Sequence, residues 1–365
     1  VCAGLDVAPV ADQLPVLLQR ADVLGPPTTV WGAKTIAAAM RTRAAAAAEP
    51  FRLSVIAHSS LGQWFEVGPA EGPWEGAVFG VDGGEITHHG VGPSGLLPEH
   101  CTLEYPSMGL RIDASGLHVL PGLIDVHVHF REPGMTQKED WLTGSTAAAM
   151  GGVTTVFEMP NTSPPVDTVA HLELKRQAAE SKSVVDFGLY GVLAEDNVQH
   201  LEPLIEAEVI GFKLFLGNTT GNLPCPSDGA VLEGFEILAR RGPRCSIHAE
   251  NSPILFWREA RLKAAGRNTA RDHLLARTDV CALEALSKSC VLAEWAGARI
   301  HIVHESSALS LPYIRWFKSR GVDLTVETLP QYLYRSIEDM EAMADGHRLR
   351  MNPPIRERWH QDLLW

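Results

Sequence analysis

No apolar run approaches the 18 or so residues that a membrane-spanning helix needs, so a membrane partner is not expected. Cysteine is sparse: six residues, none in a CxxC pair, too scattered for a disulfide framework or a cysteine-built zinc site. Such usage suits reduced thiols and a cytoplasmic setting. Basic residues are in deficit, 31 against 44 acidic ones, for a formal net charge of −13. An acidic surface repels phosphate backbones and anionic lipid, which removes nucleic acid from the expected partners. Hydrophobic residues make up 45% of the 365, enough for a large core and too many for global disorder.

Texture divides the chain into three zones. Residues 1–50 are Ala- and Pro-rich and poorly patterned. They begin at Val1, and the Ala-rich stretch holding Arg41 and Arg43 reads as a helix, a linker or the tail of an organelle transit segment. Residues 51–120 carry short alternating pieces broken by Gly-Gly, Gly-Pro and Pro-Ser turns, the pattern of a small β domain. From residue 121 to 365 strand-like runs alternate with helix-length amphipathic stretches. The strands fall at 123–127, 153–157, 184–190, 210–216, 245–248, 300–304 and 322–327. Helices are expected at 143–150, 230–240 and 279–295. This is an α/β chain of the TIM-type (β/α)8 barrel class, one strand short of closure. The chain stops where an eighth strand would start, which reads as a truncated form whose open edges favour self-association, a homodimer being expected.

Histidines mark the strand ends, where a barrel gathers its chemistry. His127 and His129 end the first strand as His-Val-His, and alternation puts both on one face, about 7 Å apart along the backbone. Two imidazoles so placed can grip one metal ion. Alone, the pair reads more readily as two ordinary strand histidines. His248, ending the fifth strand, and His304, ending the sixth, shift that balance, because each interrupts an apolar run where Val, Ile or Leu would pack. His301, at the start of its strand, reads as structural.

Lys213 is the oddity. It sits within Ile210-Gly211-Phe212-Lys213-Leu214-Phe215-Leu216, a run that must be buried. A lone ammonium there needs a partner or loses its proton. The neutral amine can react with carbon dioxide to form a carbamate, an anion able to bridge two metal ions. The plainer alternatives are a lysine snorkelling from a strand end or one binding an anionic substrate. Imidazole and carboxylate-type ligands favour zinc over magnesium, and a metal-activated hydroxide is hydrolase chemistry.

The run Pro121-Gly122-Leu123-Ile124-Asp125-Val126-His127-Val128-His129-Phe130-Arg131-Glu132-Pro133-Gly134 resembles the signature of the cyclic-amide hydrolase branch of the amidohydrolase superfamily. Lys138-Glu139-Asp140, Gly151-Gly152-Val153-Thr154-Thr155 and Met159-Pro160-Asn161-Thr162 are similar to dihydroorotase. The resemblance, from about residue 113 onward, implies a dinuclear zinc barrel that interconverts dihydroorotate and N-carbamoyl-aspartate in pyrimidine biosynthesis. It implies His127, His129, Lys213, His248 and His304 as ligands to two Zn2+ ions, with Lys213 carboxylated and bridging. Arg131 and Asn161 would hold the carboxylate of a small-molecule substrate, and Asn352 would touch its ring. A salt bridge from Arg131 to Glu132 or Glu139 is the bland reading of that arginine.

Two departures qualify the picture. Gln331 stands where many members have histidine. The aspartate the family places at the end of the eighth strand, as ligand and proton carrier, would lie beyond Trp365, so impaired turnover is expected. Allantoinases share the His-x-His-Phe-Arg-Glu-Pro-Gly run but tend to lack the Met-Pro-Asn-Thr form, and hydantoinases tend to lack Arg-Glu-Pro-Gly. An allantoinase- or hydantoinase-like enzyme, or an inactive homologue with a binding role, are therefore the alternatives.

Overall fold

A computed structural model describes residues 122–221 and 223–365 in full and, between 55 and 121, the backbone of six short strands. The Ala/Pro-rich segment 1–50 lies outside the described residues, as does most of 51–120. The short strands are β1 (Val55–Ala57), β2 (Ala77–Asp82), β3 (Glu85–Ile86), β4 (Cys101–Tyr105), β5 (Leu110–Asp113) and β6 (Val119–Pro121). β1 pairs in parallel with β6, and the other four form a sheet in the order β3-β2-β4-β5.

Seven further strands follow: β7 (Leu123–Val128), β8 (Val153–Glu158), β9 (Asp186–Leu193), β10 (Gly211–Phe215), β11 (Cys245–His248), β12 (Ile300–Ile302) and β13 (Leu324–Val326). They lie in sequence order in one sheet, β7 at one edge and β13 at the other. Helices connect them, as right-handed β-α-β crossovers require for parallel strands. This is the expected barrel arrangement without closure. Among the described residues no helix is long and apolar enough to cross a membrane.

The chain packs as two compact units. Of the described residues, the first takes in those up to Phe130, Thr136–Glu158 and Ala178–Gly188; the second takes in Arg131–Met135, Met159–Gln177 and Leu189–Trp365. In the first, α1 (Trp141–Met150) is started by Asp140, whose carboxylate accepts from the Thr143 N–H at 2.8 Å. Trp141 is fully buried and meets the Phe130 ring edge-on, 5.2 Å between centroids. β8 alternates in burial, with Thr154, Val156 and Glu158 on its buried side. By contrast β7 leaves Leu123, Ile124 and Val126 exposed, as an edge strand can.

In the second unit β10 is buried along its whole length, which explains why its sequence is apolar apart from Lys213. After α2 (Val169–Lys182) and α3 (Leu201–Glu206), α4 (Asp228–Arg241) shows why its residues choose a helix. Ser227 caps it by accepting from the Ala230 N–H, and Val231, Gly234, Phe235 and Leu238 form the buried stripe. Arg240 and Arg241 complement the negative end, and Gly242 at φ 93° turns the chain away. α5 (Ser252–Ala264), α6 (Ala270–Ala276) and α7 (Asp279–Ala296) follow β11. β12 is shorter than its sequence suggests because His304 takes φ 42°, a left-handed conformation that no strand can continue. After β13 the chain builds α9 (Pro330–Tyr334), α10 (Ile337–Ala342) and α11 (Arg358–Leu364), α8 (Leu311–Ser319) having preceded it. Tyr332, Ile337, Met340 and Ile355 pack with Leu274 into a separate small core there.

Candidate functional site

The first unit holds the His127–His129 pair. The two Nε2 atoms are 3.2 Å apart and the ring centroids 5.1 Å, so the imidazoles converge at their tips, as alternation along β7 requires. Close by in sequence, the Phe130 N–H donates to the buried Glu158 carboxylate at 3.1 Å, fixing the chain just past the pair.

The second unit holds the other three. Lys213 is completely buried in the middle of β10, and burial pulls its ammonium from 10.5 down to about 7. A large fraction of neutral amine at physiological pH follows. His248 ends β11, opposite Phe215 in the parallel register, and burial likewise lowers its pKa. His304 lies two residues past β12, and its Nε2 is 3.0 Å from the Nδ1 of His248. His301 is tied instead to Thr325 Oγ1 at 2.8 Å and Glu327 at 3.1 Å, a structural role.

The expected substrate-binding residues all lie in the second unit. Arg131 adopts φ 64°, and its carbonyl accepts from the Met135 N–H to close the short turn 131–135. Asn161 is 2% exposed; its amide donates to the Thr220 carbonyl at 2.8 Å, while its own Oδ1 is buried without a hydrogen-bond partner. Asn352 is engaged with the His273 Nε2 at 2.7 Å.

Around His248 lies a buried polar network. Glu250 is fully buried, and its Oε2 accepts from His248 Nε2 at 2.7 Å and from the Arg277 guanidinium. Burial alone would push the Glu250 carboxyl up; the His248 hydrogen bond and the Arg277 charge more than offset it and hold it below the usual range. Next to His304, burial pushes Glu305 up to about 7. Among the described residues no group of three or more His, Cys, Asp or Glu is arranged to hold a metal ion.

Comparison with known proteins separates the broad expectation from the narrow one. Residues 118–285 match the model described as Amidohydrolase family. The allantoinase of Deinococcus radiodurans is 39% identical over 256 residues, which cover 70% of this chain and 57% of that protein. The allantoinase of Rubrobacter xylanophilus is 40% identical over 257 residues, with 70% and 56% covered. The chain belongs to the amidohydrolase superfamily, in its cyclic-amide hydrolase branch. Among solved structures this amidohydrolase is similar to the L-hydantoinase (dihydropyrimidinase) from Arthrobacter aurescens, with a TM-score of 0.65, 31% identity, and 70% and 56% of the two chains covered. It therefore spans somewhat more than half the length of these relatives. The branch expected from the motifs stands, while none of these three relatives bears the dihydroorotase name.

Reading the sequence missed Glu250 and Arg277 in this amidohydrolase. Glu250 had a local signal, since it lies two residues past His248 and so turns toward the same side. Arg277 had none: it closes α6, and only folding brings it to Glu250.

Proposed function

We propose that this chain carries the metal-binding part of a cyclic-amide hydrolase that opens a neutral ring ureide of the allantoin class. The ligands are His127 and His129 as one set, and Lys213, as its carbamate, with His248 and His304 as another. The carrying observation is Lys213, wholly buried on an otherwise apolar strand with its pKa brought near neutrality, with His248 ending the next strand and His304 two residues past the one after. A neutral amine adds carbon dioxide, its nitrogen bonding to the carbon as one N–H proton is lost to solvent, and the resulting carbamate anion is a hard oxygen ligand. The donors suit zinc. Two ligands at about 2.0–2.1 Å in a tetrahedral shell stand roughly 3.3 Å apart. The imidazole pairs, at 3.2 and 3.0 Å, fall close to that spacing. When bound, zinc lowers the pKa of a coordinated water and polarises a carbonyl, which supplies nucleophile and electrophile for amide hydrolysis.

The choice of ring rests on Asn161 and on the allantoinase names of the relatives. With its amide donating to Thr220, the atom Asn161 has left unpartnered is an acceptor. An acceptor suits the N–H of a ureide ring and repels a carboxylate. Arg131, a planar five-donor fork, would take ring or side-chain carbonyl oxygens. A second reading keeps dihydroorotate, on the strength of Arg131 and the Met159–Thr162 motif, with Arg131 then binding the carboxylate.

A substrate panel on zinc-loaded protein tests the proposal: allantoin, hydantoin, dihydrouracil and dihydroorotate, each followed by ring opening. Allantoin is expected to show the highest kcat/KM. Asn161→Ala is expected to cost about tenfold in it, the worth of roughly one neutral hydrogen bond. Preference for dihydroorotate would establish the second reading, and zinc uptake with no turnover on any ring would point to the inactive homologue.

A further inference from the structure

His248 has two ring nitrogens with different assignments. Its Nε2 lies 2.7 Å from the Glu250 carboxylate, which can only accept, so Nε2 carries the proton. In a neutral imidazole Nδ1 is then a bare lone pair, and that is the atom 3.0 Å from His304 Nε2. The arrangement behind Glu250 is equally specific. Arg277 is 3% exposed and pairs with the same Oε2; its Nη2 donates to the Asn218 carbonyl, and its own carbonyl accepts from Arg356 Nη1. Arg356 in turn reaches Ser306 Oγ at 3.1 Å, two residues past His304.

We propose that Glu250 and Arg277 form a positioning relay that locks His248 in its Nε2–H tautomer and presents Nδ1 as a metal ligand, an inference that rests on the metal-binding reading above. Glu250 fixes ring orientation and makes the imidazole a stronger donor to metal, as carboxylates behind metal-bound histidines do. Arg277 makes a buried carboxylate tolerable, since an unpaired one would be strongly destabilising. Its fork is pinned at the Asn218 carbonyl, so it sets the carboxylate's position as well as its charge. A plain structural ion pair would give stability without a fixed tautomer or an effect on metal affinity, and those two readouts separate the ideas.

The experiment uses the whole chain with 15N-labelled histidine, the His248 signal being assigned by its loss in His248→Gln. Metal-free wild type is expected to show the Nε2–H tautomer at His248. Glu250→Leu is expected to show mixed tautomers, and Glu250→Gln an intermediate pattern because its amide oxygen can still accept. Zinc affinity, measured by competition with a chelating dye, is expected to fall 10- to 100-fold in Glu250→Leu and less in Glu250→Gln. Glu250→Gln, close in shape and still able to accept from His248, serves as the milder variant should Glu250→Leu fail to fold. An unchanged tautomer in folded variants, or zinc binding indifferent to Glu250, overturns the relay alone. A wild-type chain with a fixed tautomer that takes up no zinc overturns the metal reading, and the ligand role of His248 with it.

Discussion

Nδ1 of His248 and Nε2 of His304 meet at 3.0 Å although 56 residues separate them in sequence. The neighbouring strands β11 and β12 achieve this, with Cys245 opposite Ile300 and Ile247 opposite Ile302 setting the register. Removing either imidazole leaves the strands intact and the pair broken. His248→Ala and His304→Ala are therefore expected to lower zinc affinity at least tenfold, read by chelator competition. Retention of wild-type affinity in both would remove them from the ligand set.

Lys213 lends itself to a cleaner separation of folding from function. Burying an ammonium carries a desolvation cost that an apolar side chain of similar length does not incur. Lys213→Met is expected to match or exceed the metal-free wild type in urea denaturation while losing zinc-induced stabilisation. Marked destabilisation of the metal-free variant would mean that Lys213 is chiefly a structural residue.

In the first unit, a Cβ added at Gly144 would stand 2.4 Å from the Phe130 ring. Phe130 is held in turn against Trp141. Gly144→Ala is expected to cost about 1–3 kcal/mol by overpacking, visible as a lower Tm. An unchanged Tm would show that the ring can move aside.

Asp272 gives a pH dependence of definite sign. The Thr269 N–H donates to its carboxylate at 3.0 Å, the Thr269 hydroxyl at 2.8 Å and Arg267 at 2.9 Å. These bonds, the Thr269 backbone first, hold its pKa below 3.8. The folded state thus binds a proton less readily than the unfolded one, so this contribution is complete above pH 3.8 and lost as pH falls through the lowered folded value. Asp272→Asn is expected to flatten the acid limb of the stability profile. A variant whose profile parallels wild type below pH 4 would refute the assignment.

Much of the second unit was legible because its signals are local. An apolar run interrupted by one lysine, and histidines closing such runs, put Lys213 and His248 on strands as expected. His304 was expected to end its strand, but that strand stops at Ile302, since backbone conformation at a single histidine leaves no mark in a hydrophobic pattern. Asn352 was expected at a ring and is bonded to His273, a partner 79 residues away that spacing cannot reveal. Arg277 escaped for the same reason. The choice among cyclic amides was not legible either, because an arginine and an asparagine, read from the sequence, suit more than one ring.

The φ of 42° at His304 has a bearing on how this sequence can change over time. Left-handed backbone at a residue with a side chain carries a cost of about 1–3 kcal/mol, relieved by glycine. Glycine at this position would relieve that backbone cost while giving up the buried imidazole and its contact with His248. A histidine kept there is retained against the preference of the backbone, so the position records, in any set of descendants, whether the imidazole is still being used.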